Sequence, residues 1–320
     1  MTEYAGLIAD VGGTNARFAL CGEDGRPAVS ETVLCRDYTR IEEAVADFLK
    51  KNGGARVKAA AFAVASPVLD DIVSMTNCDW VFSISALKKE LGLDRLKVVN
   101  DFVAQALAVP LLSENEKIKI GGGEPRDRAP LVVVGPGTGL GVSILVPDDA
   151  GGWIALPGEG GHATMPAPFP EEERVISALR QEYGHVSAER VISGAGLANL
   201  HRTLLALRRE KADEPLAPEE ISARALAGDA LCREAVQMMF GLLGTFAGNL
   251  ALTAGAFGGV YIAGGIVPRP GLIDLFRESA FRVRFEAKGR FAAYLSRIPT
   301  YVMTAEYPAF SGLASLLEKK

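Results

Sequence analysis

Residues 10–17, which read D-V-G-G-T-N-A-R, combine glycines with polar and charged side chains between two apolar runs. Glycines lack a Cβ, so the N–H groups of such a turn can approach a ligand closely, and successive turn amides form an anion-binding concavity. Asp10 could face a magnesium ion, and Arg17 adds a positive charge. The segment therefore indicates either a phosphate loop or an ordinary glycine-rich hairpin.

A second glycine-rich turn, G-P-G-T-G-L-G at 135–141, follows the apolar run 131–134 and precedes another at 142–146. This repeats the layout of strand, Gly-Thr turn and strand found at residues 7–20, so we expect a duplicated core with a phosphate turn in each half. The dipeptide Gly-Lys never occurs, which excludes a Walker A loop. The glycine spacing also differs from the dinucleotide fingerprint.

Two carboxylate-bearing segments could supply acid–base chemistry or bind hydroxyl groups. Asp101 lies between a predicted strand at 96–99 and a predicted helix at 102–109, a position where open α/β sheets bind ligands. It could be a base for phosphoryl transfer, which needs only a weak base, or a helix N-cap. Glu159 and His162, among glycines, suit sugar hydroxyls but could equally occupy a surface loop.

Two further segments have both a structural and a functional interpretation. Glu189, taken alone, is typical of a solvated helix residue. Gly264 and Gly265 follow the predicted buried strand within 257–268, so they allow either tight strand–turn packing or the approach of an adenine ring.

The elements that must position these residues alternate along the chain. Strands alternate with helices after the first hairpin, which predicts an α/β fold with largely parallel sheets and helices on both sides. A length of 320 residues suggests two domains or one large one.

A net charge of −5 argues against a nucleic-acid partner. Four scattered cysteines fit free thiols in a reducing cytoplasm, and neither a signal peptide nor a membrane-spanning run is recognised.

In combination these motifs make the chain similar to a known family. It closely resembles bacterial glucokinase, the ATP-dependent proteobacterial type within the sugar kinase/actin/Hsp70 superfamily. The resemblance covers nearly the whole chain and is carried by D-V-G-G-T-N-A-R at 10–17, V-V-N-D-F at 98–102, G-P-G-T-G-L-G at 135–141, L-P-G-E-G-G-H at 156–162, H-V-S-A-E-R at 185–190 and G-G-V-Y-I-A-G-G-I-V-P-R at 258–269.

The resemblance implies transfer of the γ-phosphate of ATP to the 6-hydroxyl of glucose, with Asp101 as the general base. It implies that Asp10 orients Mg²⁺ through water. The implied sugar-binding residues are Asn100, Asp101, Glu159, His162 and Glu189. The implied nucleotide-binding residues are Ala9, Asp10, Val11, Gly12, Gly13, Thr14, Gly137, Thr138, Gly139, Gly264 and Gly265.

The implied fold is two actin-like (ribonuclease H-like) α/β domains around a central cleft. The smaller domain would comprise 1–110 plus 299–320, and the larger one 111–298. Glucose and ATP would be the partners of a cytoplasmic homodimer, without nucleic acid or membrane. Pro136 and the segment 308–312 depart from the family pattern, and no ligand role is assigned to that segment. Two alternatives stay open: a non-catalytic sugar sensor on the same scaffold, and a kinase for another hexose such as an N-acetylhexosamine.

Overall fold

The computed structural model describes residues 4–76, 78–209 and 214–317. Its strands are β1 Gly6–Val11, β2 Asn15–Cys21, β3 Pro27–Leu34, β4 Ala59–Val64, β5 Ile72–Ser74, β6 Val81–Ser83, β7 Arg95–Asn100, β8 Lys117–Gly121, β9 Leu131–Pro136, β10 Leu140–Pro147, β11 Trp153–Gly158, β12 Gly259–Ile262 and β13 Thr300–Met303. Its α-helices are α1 Ile41–Lys51, α2 Ile84–Glu90, α3 Asp101–Ala108, α4 Pro170–Tyr183, α5 Gly194–Arg208, α6 Pro218–Leu226, α7 Ala230–Ala254, α8 Leu272–Glu278, α9 Phe281–Glu286, α10 Ala292–Leu295 and α11 Pro308–Ser315.

The chain divides into two compact units. The first contains residues up to 112 together with those from 305 onward, and the second contains residues 113–304. The boundaries differ from the sequence expectation, which placed 299–304 in the smaller domain. These residues lie in the second unit because β13 pairs with both β12 and β8. Residues 1–3 and 318–320 of the expected small domain lie outside the described part of the chain.

The first unit is organised around a five-stranded sheet of order β3-β2-β1-β4-β7. The predicted opening hairpin is confirmed, with Asp10 opposite Arg17 in the antiparallel register. β4 lies parallel to both β1 and β7. Alternate side chains of β1 enter two different apolar clusters: Leu7 packs with α1, and Ile8 packs with α3 and α11. Helices therefore cover both faces of the sheet, as the alternating sequence pattern predicted.

The second unit repeats this layout in a six-stranded sheet of order β11-β10-β9-β12-β13-β8. β10 is antiparallel to both β11 and β9, and β12 and β13 continue parallel to β9. This is the same sequence of strand directions as in β3-β2-β1-β4-β7, with β8 added at the edge. The agreement of the two sheets supports the predicted duplication of the core.

α7 is long and apolar enough to cross a membrane by length and composition alone, although the sequence analysis recognises no membrane-spanning run. Its most apolar stretch is 72% buried inside the protein, and residues such as Phe240, Leu243 and Ala247 are fully buried in the core of the second unit. A buried core helix passes the same length and composition test as a membrane span. The structure therefore accounts for the apolar character of α7 by packing.

The C-terminal helix differs from its prediction. The sequence predicts a short terminal helix at 313–317, whereas α11 begins at Pro308 and includes the divergent segment 308–312. Proline is favoured at the first turn of a helix because the N–H it lacks would have no intrahelical partner there. Segment 308–312 is therefore a packing element, and Gly312 lies against the backbone of Ala104 in α3.

Candidate active site

In the first unit the glycine turn and the candidate base follow strands of the same direction. β1 ends at Val11 before the turn, and β7 ends at Asn100 before Asp101. Only β4 separates the two strands, so their carboxyl ends lie about 10 Å apart at one edge of the sheet. The turn is closed by Gly12, whose N–H donates to the carbonyl of Asn15 at 2.9 Å.

Asp10 is the only acidic side chain of the first glycine turn. Its carboxylate lies 3.6 Å from the guanidinium of Arg17 and is 25% exposed. Burial raises the pKa of Asp10, and the positive charge of Arg17 opposes that rise. Arg17 also lies over the ring of Tyr307, 5.4 Å from its centroid. The turn therefore presents a largely buried carboxylate whose charge is balanced by one neighbouring cation.

Asn100 and Asp101 share one backbone donor at the start of α3. Asn100 is the N-cap, and its Oδ1 accepts the N–H of Phe102 at 2.9 Å. Oδ1 of Asp101 accepts the same N–H at 2.9 Å, and Nδ2 of Asn100 donates to the carbonyl of Ser66 at 3.4 Å. The alternative that Asp101 is the cap is wrong: Asp101 is the first residue of the helix itself. The positive end of a helix favours an anion at that position.

In the second unit the turn 137–139 connects β9 to β10 and is closed by the N–H of Gly137 donating to the carbonyl of Gly139 at 2.8 Å. Gly264 follows β12 and packs against this connection: it has φ +81°, and a Cβ there would lie 2.4 Å from the carbonyl oxygen of Pro136. A Cβ on Gly265 would meet open space. Tight packing therefore explains Gly264, and Gly265 leaves room for a ligand.

Glu159 and His162 lie in the loop after β11. The imidazole Nε2 is 4.0 Å from the Glu159 carboxylate, and both side chains are more than half exposed, so they are accessible and share no direct hydrogen bond. The loop is anchored by Gly161, where a Cβ would lie 2.0 Å from the carbonyl oxygen of Leu140. The glycines therefore bring this loop against the start of β10.

Glu189 lies in a turn rather than in a helix, so its interpretation as a solvated helix residue is wrong. Its Oε2 accepts the N–H of Leu140 at 2.8 Å, and its own N–H donates to the carbonyl of Gly161 at 2.9 Å. The segment containing Glu189, the loop 159–162 and the turn 137–139 therefore meet at one edge of the second sheet.

Sequence reasoning did not assign a role to Ser193. Its hydroxyl donates to the carbonyl of Glu189 at 2.8 Å and accepts the N–H of Gly196 at 2.9 Å, so it caps α5 and fixes the Glu189 backbone together. A serine directly before the start of a helix is an N-cap signal, and this signal could have identified Ser193.

The donor set fits a lightly coordinated magnesium ion. No group of three or more histidine, cysteine, aspartate or glutamate residues that could hold a metal occurs among the residues the structure describes. Mg²⁺ keeps several waters and is usually held by one or two carboxylates together with substrate phosphates. The single carboxylate of Asp10, beside a glycine turn suited to phosphate, is consistent with such an ion.

The comparisons with known proteins agree on one family. The family model described as Glucokinase matches residues 7–320. A curated glucokinase from Chromobacterium violaceum is 53% identical, over 97% of this chain and 88% of its own length. One from Neisseria meningitidis serogroup B is 49% identical over 98% of this chain and 95% of its own. The crystal structure of a glucokinase from an Antarctic psychrotroph has a TM-score of 0.88 at 34% identity, covering 98% of both chains.

Proposed function

The chain belongs to the glucokinase family, and we propose that it transfers the γ-phosphate of ATP to the 6-hydroxyl of glucose with Asp101 as general base. The observation that carries this proposal is the position of Asp101 as the first residue of α3, at the sheet edge that also holds the turn 12–14. Relatives about 50% identical over nearly the whole chain are glucokinases, so the sensor and the N-acetylhexosamine kinase are not favoured.

Asp101 would accept the proton of the glucose 6-hydroxyl as its oxygen attacks the terminal phosphorus of ATP. Phosphoryl transfer passes through a loose transition state, so the alcohol loses its proton late and a carboxylate is a sufficient base. The cap made by Asn100 keeps the first turn of α3 in place, which holds Asp101 at a defined position. Accurate positioning matters because small misplacements of a reacting group are costly.

The remaining sugar hydroxyls would be bound by Asn100, Glu159, His162 and Glu189. The exposed side chains of Glu159 and His162 support this role, since groups that must bind a sugar have to be accessible. The phosphates would be bound by the turn 12–14 with Ala9, Asp10 and Val11 and by the turn 137–139, and the adenosine by Gly264 and Gly265. Mg²⁺ would be held through water by Asp10 and would neutralise phosphate charge.

We expect Asp101→Asn to lower kcat by about 10²- to 10⁴-fold, the usual contribution of a general base. The glucose Kd should stay near that of the wild type, because the amide still forms hydrogen bonds. Glucose binding is measured by calorimetry and turnover by coupled ADP release. Asp94→Asn, which changes an exposed aspartate of the same unit, is the matched control. Wild-type turnover by Asp101→Asn would refute the base assignment.

The same assay distinguishes the alternatives when it is run with glucose, mannose, fructose and N-acetylglucosamine. Preference for glucose supports the proposal, and a lack of ADP release with every one of these sugars would favour a sensor. We further propose that the protein acts in the cytoplasm as a homodimer, an arrangement supported by its resemblance to the family. Light scattering coupled to gel filtration tests the dimer.

A further inference from the structure

The two carboxylate oxygens of Glu189 have different surroundings. Oε2 accepts the N–H of Leu140 at 2.8 Å, and Leu140 directly follows the turn 137–139. Oε1 accepts no hydrogen bond from any residue within the described ranges. The side chain is partly buried, so solvent and ligands can still reach it. One oxygen of this carboxylate is therefore committed to the protein, whereas the other is available for a hydroxyl group.

The backbone around Glu189 is tied to the same turn at a second point. The hydroxyl of Ser193 donates to the carbonyl of Glu189 at 2.8 Å, and the N–H of Gly194 donates to the carbonyl of Gly137 at 2.9 Å. The turn 137–139 is thus held at its beginning by Gly194 and at its end by the Glu189 carboxylate. Its conformation depends on segment 189–194.

Gly139 shows that the Glu189 carboxylate also depends on the turn 137–139. A Cβ on Gly139 would lie 2.5 Å from Oε2 of Glu189, closer than real Cβ contacts allow. The carboxylate therefore needs a glycine at this position, and the turn needs the carboxylate where it is. By contrast, a Cβ on Gly137 would meet nothing within 4 Å.

We infer that Glu189 is a positioning residue that couples sugar binding to phosphate binding. The inference rests on the proposed function, in which Oε1 of Glu189 binds a glucose hydroxyl and the turn 137–139 binds ATP phosphates. A hydroxyl donating to Oε1 orders the carboxylate, and the ordered carboxylate holds the Leu140 N–H and thereby the turn. By thermodynamic linkage, glucose then tightens nucleotide binding by the same factor by which nucleotide tightens glucose binding.

Gly139→Ala tests the link, and Gly137→Ala is the matched control because it makes the same change in the same turn without touching Glu189. Calorimetry measures the glucose Kd without nucleotide. It also measures the Kd of a nucleotide, the magnesium complex of an ATP analogue whose β–γ bridge cannot be hydrolysed, in the absence and in the presence of saturating glucose. For Gly139→Ala we expect the glucose Kd to rise about tenfold or more, the usual effect of losing a hydrogen bond to a charged group. The glucose-dependent gain in nucleotide affinity should shrink with it.

For Gly137→Ala we expect an unchanged glucose Kd, whatever happens to the nucleotide. If both variants weakened glucose binding equally, the cause would be general damage to the turn and the inference would be overturned. An unchanged glucose Kd in Gly139→Ala would also overturn it. Glu189→Gln separates the inference from the proposed function, because the amide oxygen can still accept the Leu140 N–H while an NH2 group, which cannot accept a hydroxyl donor, replaces Oε1. If Glu189→Gln leaves the glucose Kd unchanged, the sugar-binding role itself is wrong.

Discussion

Gly312 offers a sharp test of how the first unit positions its candidate base. Gly312 lies in α11 against α3, and a Cβ at this position would be 1.9 Å from the carbonyl oxygen of Ala104 and 3.1 Å from the N–H nitrogen of Ala108. Both obstacles are backbone atoms, so no side chain can rotate away. The substitution Gly312→Ala must therefore move one helix relative to the other.

The size of that movement follows from the contact. Restoring an ordinary separation of 3.4 Å from 1.9 Å requires the helices to part by about 1.5 Å. The separation disturbs a cluster in which Leu313 is fully buried and Phe310 is 6% exposed. Overpacking of this kind costs about 1–3 kcal/mol, against which alanine gains up to about 1 kcal/mol in helix propensity. We expect a net loss of about 1–2 kcal/mol in the free energy of unfolding.

The fall in kcat of Gly312→Ala should be larger than its loss of folding stability explains. Asp101 is the first residue of α3, so a shift of that helix moves the proposed base. A misplacement of about 1 Å can cost roughly 10²-fold in rate. We therefore expect kcat to fall about 10- to 100-fold in samples that circular dichroism shows to be folded.

The assay pairs urea unfolding with steady-state kinetics for Gly312→Ala and a control glycine. Gly241→Ala is the control, because Gly241 is also helical but its Cβ would have its nearest neighbour at 3.8 Å. The control should keep wild-type kcat and change stability by no more than about 1 kcal/mol, the helix propensity of alanine over glycine. If Gly312→Ala matched the control in both measurements, the close approach of the helices would not position Asp101.

Two further predictions concern the second unit. Arg284→Met should destabilise the protein by about 3–5 kcal/mol at pH 7, because it leaves the Glu172 carboxylate, 3% exposed and 3.0 Å from the guanidinium, without its partner. Burial already raises the pKa of Glu172 against the opposing charge of Arg284. The loss of stability in Arg284→Met should therefore be largest at neutral pH and shrink as the pH falls towards the pKa of Glu172 in the unfolded chain. Urea unfolding at pH 5 and 7 measures this loss, and the same difference between variant and wild type at both pH values would contradict the prediction. Gly264→Ala should raise the ATP KM and lower the unfolding temperature, because the φ of +81° at Gly264 and its contact with Pro136 exclude a Cβ. Gly265→Ala is the control, and equal effects of the two substitutions would refute the packing argument.

Local sequence patterns determined much of the fold and several parts of the candidate site. The hairpin around Asp10 and the position of Asp101 between a strand and a helix were predicted, because apolar runs and glycine turns act within a few residues. The layout of the two glycine turns also indicated the duplicated core that the sheets display.

Tertiary structure alone decided which distant residues meet. The hydrogen bond from Leu140 to Glu189 joins positions 49 residues apart, and the approach of Gly312 to Ala104 depends on the packing of α11 against α3. β13 joins the second sheet, whereas the sequence expectation placed it in the smaller domain. A periodic pattern shows which face of an element is buried but carries no information about the partner that covers it. The partner is selected only when both surfaces pack, so these contacts belong to the fold as a whole.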